Sequence, residues 1–241
     1  MNKKTLWGLV AAVVVILLAM WAWNARTNNS ADDMATTTAS TTPDVVAGGT
    51  TQTTGGTSGV KKPGNLPDGK YSVNAASSTM TWTGSKPRVL GYEDSGTINI
   101  KSGTLRVADG HVFEGDFFID MQSIKVTETS NTKAGADKLE NHLLSDDFFA
   151  AEKYPNAEFV IKNVTNGVVT GDLTIKATTK TISFPATIVA ESDTRLVADA
   201  SVTLNRSLWD IRYGSGTFFD DLGDSLIADE MKLTFHLIAE K

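Results

Sequence analysis

The sequence predicts an all-β fold of antiparallel strands. From Asp68 onward apolar residues recur two apart in short runs, and Gly, Asn and Asp separate the runs; only residues 134–150 carry helical spacing. Period two sends alternate side chains to opposite faces, so each run reads as a strand with one buried face. About eight to ten such strands fit residues 68–241.

Taken along the chain, Thr79-Met80-Thr81-Trp82-Thr83 places Met80 and Trp82 on one face, and Thr97-Ile98-Asn99-Ile100-Lys101 does the same for Ile98 and Ile100. The pattern recurs at Phe117 and Ile119, Phe159 and Ile161, Leu173 and Ile175, Ile182 and Phe184, and Val202 and Leu204. Trp209 and Ile211 continue it, and Met231, Leu233, Phe235 and Leu237 form the last run. Ala108-Asp109-Gly110 and Asn166-Gly167 are turn signals. Asn-Gly tolerates the positive φ angles of a tight hairpin, so 159–164 and 168–176 are expected to pair antiparallel. Within 134–150, Leu139, His142 and Leu143 share a helix face, and Ser145 before Asp146-Asp147 is expected to cap a second short turn. Periodicity admits a two-sheet sandwich or a closed barrel. The recurrent glycines from Gly84 to Gly115 favour the barrel, because glycine marks the bends and bulges that let a sheet curl over itself.

Charge and composition remove whole function classes. Residues 68–241 carry 17 basic and 25 acidic side chains, a net charge of −8. Nucleic acid is therefore not an expected partner, since a phosphate-binding face needs clustered Lys and Arg. The chain has no Cys, which excludes disulfides, thiolate nucleophiles and Fe–S clusters.

Residues 1–23 read as a membrane anchor. The run Leu6–Trp23 is free of charge, and as a helix it spans about 27 Å, close to a bilayer core. Trp21 and Trp23 suit a membrane interface, and Lys3 and Lys4 keep the amino end cytoplasmic. A cleaved signal peptide is the competing reading, although tryptophans stand where a cleavage site wants small residues. The expected location is a single-pass anchor in the cell membrane with the carboxy-terminal domain extracytoplasmic. Residues 24–67, rich in Thr and Gly, read as a flexible linker with a reach of roughly 35 Å.

Several blocks carry a resemblance. Residues 138–149, Lys-Leu-Glu-Asn-His-Leu-Leu-Ser-Asp-Asp-Phe-Phe, are followed by Tyr154-Pro155 and Phe159. Gly171-Asp172-Leu173-Thr174-Ile175 precedes Thr179-Lys180 and Phe184-Pro185, and Asn205-Arg206-Ser207-Leu208-Trp209-Asp210-Ile211 precedes Tyr213-Gly214 and, later, Ile227-Ala228-Asp229-Glu230. With Gly69-Lys70-Tyr71-Ser72-Val73 at the start, this order resembles the YceI-like family of polyisoprenoid-binding proteins over nearly all of 68–241. The resemblance implies a lipocalin-like antiparallel barrel of about eight strands, usually extracytoplasmic. It also implies a bound isoprenoid, quinone or fatty-acid derivative along the axis, with no other cofactor and no covalent chemistry. Residues 91–96, Gly-Tyr-Glu-Asp-Ser-Gly, lack a histidine that members often carry there.

The candidate ligand-binding residues are the apolar-face side chains Trp82, Ile98, Ile100, Phe117, Ile119, Phe159, Ile161, Leu173, Ile175, Ile182, Phe184, Trp209, Ile211, Leu233 and Phe235. Arg206, Tyr213 and Lys86 are the polar candidates for a head group, since guanidinium and ammonium groups pair with phosphate or carbonyl oxygen. The competing view is that these apolar residues fill a packed, ligand-free barrel serving as a non-catalytic surface or stress module. Hydrolase chemistry at His142, Ser145, Asp146 and Asp147 lacks a Gly-x-Ser-x-Gly elbow, and Ser145 is better read as a cap. No metal site is expected, because His111, His142 and His236 are far apart in sequence and the acids from Asp220 to Glu230 do not match a calcium loop. A homodimer is kept open.

Overall fold

The computed structural model describes residues 65–133 and 135–241, and residues 56–241 form one compact unit. The anchor read at 1–23 and the linker read at 24–67 lie outside the described residues, apart from residues 65–67. Among the described residues no helix is long and apolar enough to cross a membrane. Leu66, which composition assigned to the linker, is buried, and its N–H donates to the Gly110 carbonyl (3.1 Å). Barrel packing therefore begins slightly before Asp68.

The strands are β1 (Gly69–Val73), β2 (Thr79–Ser85), β3 (Glu93–Ala108), β4 (His111–Thr129), β5 (Asn156–Thr165), β6 (Val168–Ile175), β7 (Thr178–Ser192), β8 (Arg195–Asn205) and β9 (Glu230–Glu240). One helix, α1 (Ala136–Leu144), separates β4 from β5, and 3-10 turns occur at Arg206–Trp209 and Gly223–Ser225. Around the ring the order is β2, β9, β8, β7, β6, β5, β4, β3 and back to β2, every pair antiparallel. β1 shares the wall position of β2. It pairs with β3 at Thr104–Val107 and with β9 at Ala239 and Glu240, while β2 pairs with the opposite halves of both strands. Nine strands thus fill eight wall positions, and no edge is left open along the seam.

The break between β1 and β2 is held by Asn74. Its side-chain oxygen accepts from Ser77 N–H (3.2 Å), and its main-chain N–H donates to the Ile238 carbonyl (2.8 Å). The two-residue turns 109–110 and 166–167 have both residues at positive φ, 52° and 76° in each case, the geometry that matches the twist of paired strands. The β5–β6 hairpin is the one read from Asn166-Gly167.

Closure requires tight approach at Gly96, where the β3–β4 register shifts. A Cβ there would lie 1.8 Å from the Lys125 carbonyl oxygen and 2.8 Å from the Trp82 ring. The Trp82 indole N–H donates to that same carbonyl (3.2 Å), so bulge, ring and missing side chain form one unit.

The two ends of the barrel differ. The short turns β3–β4, β5–β6 and β7–β8 lie at one end, which Tyr71, Leu105, Val107, Val112, Leu196 and Ala239 fill as a closed core. The long connections 86–92, 130–155 and 206–229 all leave from the other end. In the second of these, α1 buries Leu143, and the Ser145 hydroxyl donates back to the His142 carbonyl (2.7 Å). The following turn is held by the Ser145 main-chain carbonyl, which accepts from Phe148 and Ala150 N–H (3.1 and 2.8 Å). Ser145 therefore closes α1, and the expected forward cap by its side chain is not the one formed.

Gly96→Ala is expected to destabilise the barrel by about 3 kcal/mol, because the clash is with backbone and cannot be relieved by a rotamer change. Urea unfolding followed by circular dichroism checks this; a variant with the parent's midpoint would contradict the geometry.

Candidate functional site

Alternation sends one face of every strand into the barrel, yet many inward side chains are only half-buried. In β9, Met231, Leu233 and Phe235 retain exposure, and full burial starts at Leu237. The same holds for Met80 and Trp82 in β2, for Phe117 and Phe159, and for Ile182 and Val202. Such side chains face a void. A cavity of about 400 Å³ is bounded toward the closed end by Leu105, Val169, Ala198 and Leu237 and toward the other end by Lys86, Tyr92, Lys138, His142 and Tyr213. That volume falls in the usual range for small-molecule sites.

Of the candidates read from the sequence, Trp82, Ile98, Ile100, Phe117, Ile119, Phe159, Ile161, Leu173, Ile175, Ile182, Phe184, Arg206, Tyr213, Leu233 and Phe235 border this cavity. Lys86 borders it as well. Trp209 and Ile211 do not. β8 ends at Asn205, whose side-chain oxygen accepts from Ser207 N–H (3.0 Å), and the chain enters a 3-10 turn closed by Asp210 at φ 59°. Period two therefore stops at 205. Trp209, 1% exposed, packs with Ile211 in a core cluster that also holds Ile119, Leu173 and Leu204, and its indole N–H donates to the Leu173 carbonyl (3.1 Å).

Sequence reasoning missed the residues that α1 and the turn after it bring to the open end. Leu139, His142 and Leu143 come from α1, and Phe148 and Phe149 from the turn after it. The signal was present in the helical spacing of the first three and in the Phe-Phe pair. The His142 ring stacks edge-on against Tyr213 (4.4 Å) and Phe148 (4.9 Å), and its Nε2 lies 3.0 Å from the Asp147 carboxylate. Ser145 Oγ is engaged by the His142 main chain, so the ring is oriented by Asp147 and two aromatics, with no nucleophile on it. Among the described residues no group of three or more His, Asp or Glu side chains is placed to hold a metal ion.

At the mouth, Tyr92 lies under the Lys86 ammonium (4.9 Å), and burial, then the neighbouring Asp94 carboxylate, hold its phenol above its ordinary pKa. Arg206 is nearly fully buried. Its guanidinium donates to the carbonyls of Ala228, Ile211 and Ile227 (3.0, 3.0 and 3.3 Å) and faces Asp229 at 3.4 Å. Burial lowers its pKa and Asp229 opposes that shift. With three of its five N–H donors on main-chain oxygen, Arg206 ties the 227–229 strap to the end of β8. Arg206→Met is expected to cost about 3–5 kcal/mol, since it strands a carboxylate and three carbonyls. Thermal unfolding checks this, and a melting transition unchanged from the parent would contradict the role.

A profile of the YceI-like domain matches residues 71–239. The chain is 37% identical over 92 residues to a UPF0312 protein of Photorhabdus laumondii, covering 33% of this chain and 46% of that protein. It is 38% identical over 74 residues to a UPF0312 protein of Staphylococcus aureus, covering 30% and 43%. The matches span less than half the length of these curated relatives. Two solved structures share the fold. Burkholderia cenocepacia BcnA aligns at 24% identity and a TM-score of 0.52, over 69% of this chain and 98% of that one. A polyisoprenoid binding domain from Saccharophagus degradans, implicated in plant cell wall breakdown, aligns at 17% identity and a TM-score of 0.54, over 70% and 97%. Because the domain profile covers most of the chain and all nine strands, from within β1 to within β9, the chain belongs to the YceI-like domain family.

Proposed function

We propose that this protein holds a long-chain amphiphile, of the polyisoprenoid, quinone or fatty-acid class, in the barrel lumen for storage or transfer. The observation that carries the reading is the hollow interior lined by apolar side chains. Protein cores are close-packed and leave few voids larger than a water molecule, and an apolar void of this size is poorly suited to water. The packed, ligand-free alternative has no use for such a space. The fold shared with the Saccharophagus degradans polyisoprenoid binding domain supports the same ligand class.

The transfer has a defined energetic character. Burying a methylene from water is worth about 0.8 kcal/mol, but a tail arriving from a bilayer is already out of water. The apolar term then nearly cancels, leaving head-group contacts and the ordering of the tail to set direction. Exchange is therefore reversible. The run Leu6–Trp23 serves in this proposal as a membrane anchor, and residues 24–64 as the tether that keeps an extracytoplasmic barrel near its lipid source. The lumen side chains have no covalent role.

The closed sheet and both core clusters lie within residues 66–240, inside the compact unit 56–241, so that unit folds without the preceding segment. Purified without detergent and extracted with organic solvent, residues 56–241 are expected to release one class of long-chain lipid by mass spectrometry. An empty extract together with no uptake of added prenol would oppose the proposal. The unit contains two tryptophans, of which Trp82 borders the lumen and Trp209 does not. Adding a long-chain prenol to delipidated protein is expected to shift tryptophan emission; Trp82→Phe should remove most of that change and Trp209→Phe should retain it. The reverse pattern would place the ligand elsewhere.

A further inference from the structure

Eight large apolar side chains stand exposed among the described residues, and five of them, Leu90, Leu208, Tyr213, Phe218 and Phe219, belong to the connections at the open end of the barrel. Leu90 is fully exposed at the turn between β2 and β3, and Phe219 is about half exposed (48%) in the connection between β8 and β9. These connections adjoin, because Ala228 N–H donates to the Ser85 carbonyl (2.9 Å) where β2 ends. Each also carries a cation over an aromatic ring: Lys86 over Tyr92 and Arg212 over Phe218, both at 4.9 Å. Apolar tips with cation–aromatic pairs beside them are the composition of a membrane-interface belt, where rings meet the acyl boundary and long cations reach the head groups.

We propose that this rim is a bilayer-docking surface, the loops 86–92 and 206–229 inserting Leu90 and Phe219 into the head-group and acyl boundary so that the mouth opens onto lipid. The inference deepens the lumen reading and rests on it: Lys86, Tyr92 and Tyr213 border the cavity from these same loops, so the apolar surface is continuous with the lumen wall. An apolar tail that enters by this route crosses the rim without crossing water. The two loops carry four basic and five acidic residues between them, so attraction to anionic head groups supplies little, and apolar insertion into a zwitterionic surface carries the contact.

Flotation of residues 56–241 with extruded phosphatidylcholine vesicles tests this, in parallel with lipid extraction of the same protein. The parent should float with the vesicles at low and high salt alike. The double variant Leu90→Ser/Phe219→Ser alters only exposed side chains, and it should lose about tenfold in vesicle partitioning while its extract still contains lipid. Phe113→Ser removes a comparably exposed ring (51%) from the closed end and should float like the parent. Equal flotation of the double variant and the parent overturns the proposal, as does an equal loss in Phe113→Ser. Binding that appears only with anionic vesicles and disappears in salt also overturns it, because charge and not insertion would then hold the protein. A dimer in vesicle-free solution that the double variant dissolves, with no flotation of the parent, would assign the rim to a second copy of this chain. If flotation behaves as expected but the extract is empty and added prenol is not taken up, the rim stands and the lumen reading fails, so the two claims fail separately.

Discussion

Strand β3 hydrogen-bonds to β1 and β2 on one side and to β4 on the other, and this seam converts a row of strands into a ring. Without it the sheet would have two edges and could fold onto itself as a sandwich, where facing side chains interdigitate and leave no lumen. With it, eight wall positions set the diameter, and the inward side chains must fill whatever space that diameter leaves. Toward the turns at 109–110 and 166–167 they fill it, with Tyr71, Leu105 and Leu196 fully buried. Nearer the long connections they do not, and Trp82, Leu233 and Phe235 border open space. The absent side chain at Gly96 lets the seam close at the level of Trp82.

The open end is organised differently from the wall. There the chain leaves regular pairing, and main-chain carbonyls need other donors. Arg206 supplies three of its N–H groups to carbonyls on both sides of the β8–β9 connection, while Phe148 lies 5.7 Å from its guanidinium carbon. Arg206, the head-group candidate read from the sequence, borders the cavity and is at the same time a structural clasp. The aromatic set His142, Phe148 and Tyr213 joins α1 to that clasp, so one assembly frames the mouth.

Legibility in the sequence followed the range of the interactions involved. The strands around Trp82, Ile98, Phe159 and Leu173 were readable because alternation is local, and the hairpin at Asn166-Gly167 because its turn chemistry is local too. Whether a sheet closes depends on pairing between residues such as Trp82 and Leu233, far apart in sequence, and period two says nothing about that. Trp209 and Ile211 show the cost of extending a period past its strand: the side-chain bond from Asn205 ends β8, and the same two-residue spacing then serves a buried 3-10 turn. The helix-borne part of the site was missed because a cavity wall assembled from α1 and the Phe148-Phe149 turn has no sequence period in common with the strands. The family resemblance supplied the barrel that periodicity left open, and the profile match over 71–239 agrees with it.

Lipid binding in this barrel means occupation of the lumen itself, and the methionines report on it most directly. Residues 56–241 contain three, Met80, Met121 and Met231, and all three border the cavity, from β2, β4 and β9. Spectra of the protein labelled with ¹³C at the methionine methyls, recorded before and after adding a prenol that carries a nitroxide on its tail, place the chain without mutating the wall. Broadening of all three methyl signals, reversed when unlabelled prenol displaces the probe, is the predicted result. Three unperturbed methyl signals while the nitroxide lipid demonstrably binds the protein would contradict it, because the ligand would then lie outside the barrel.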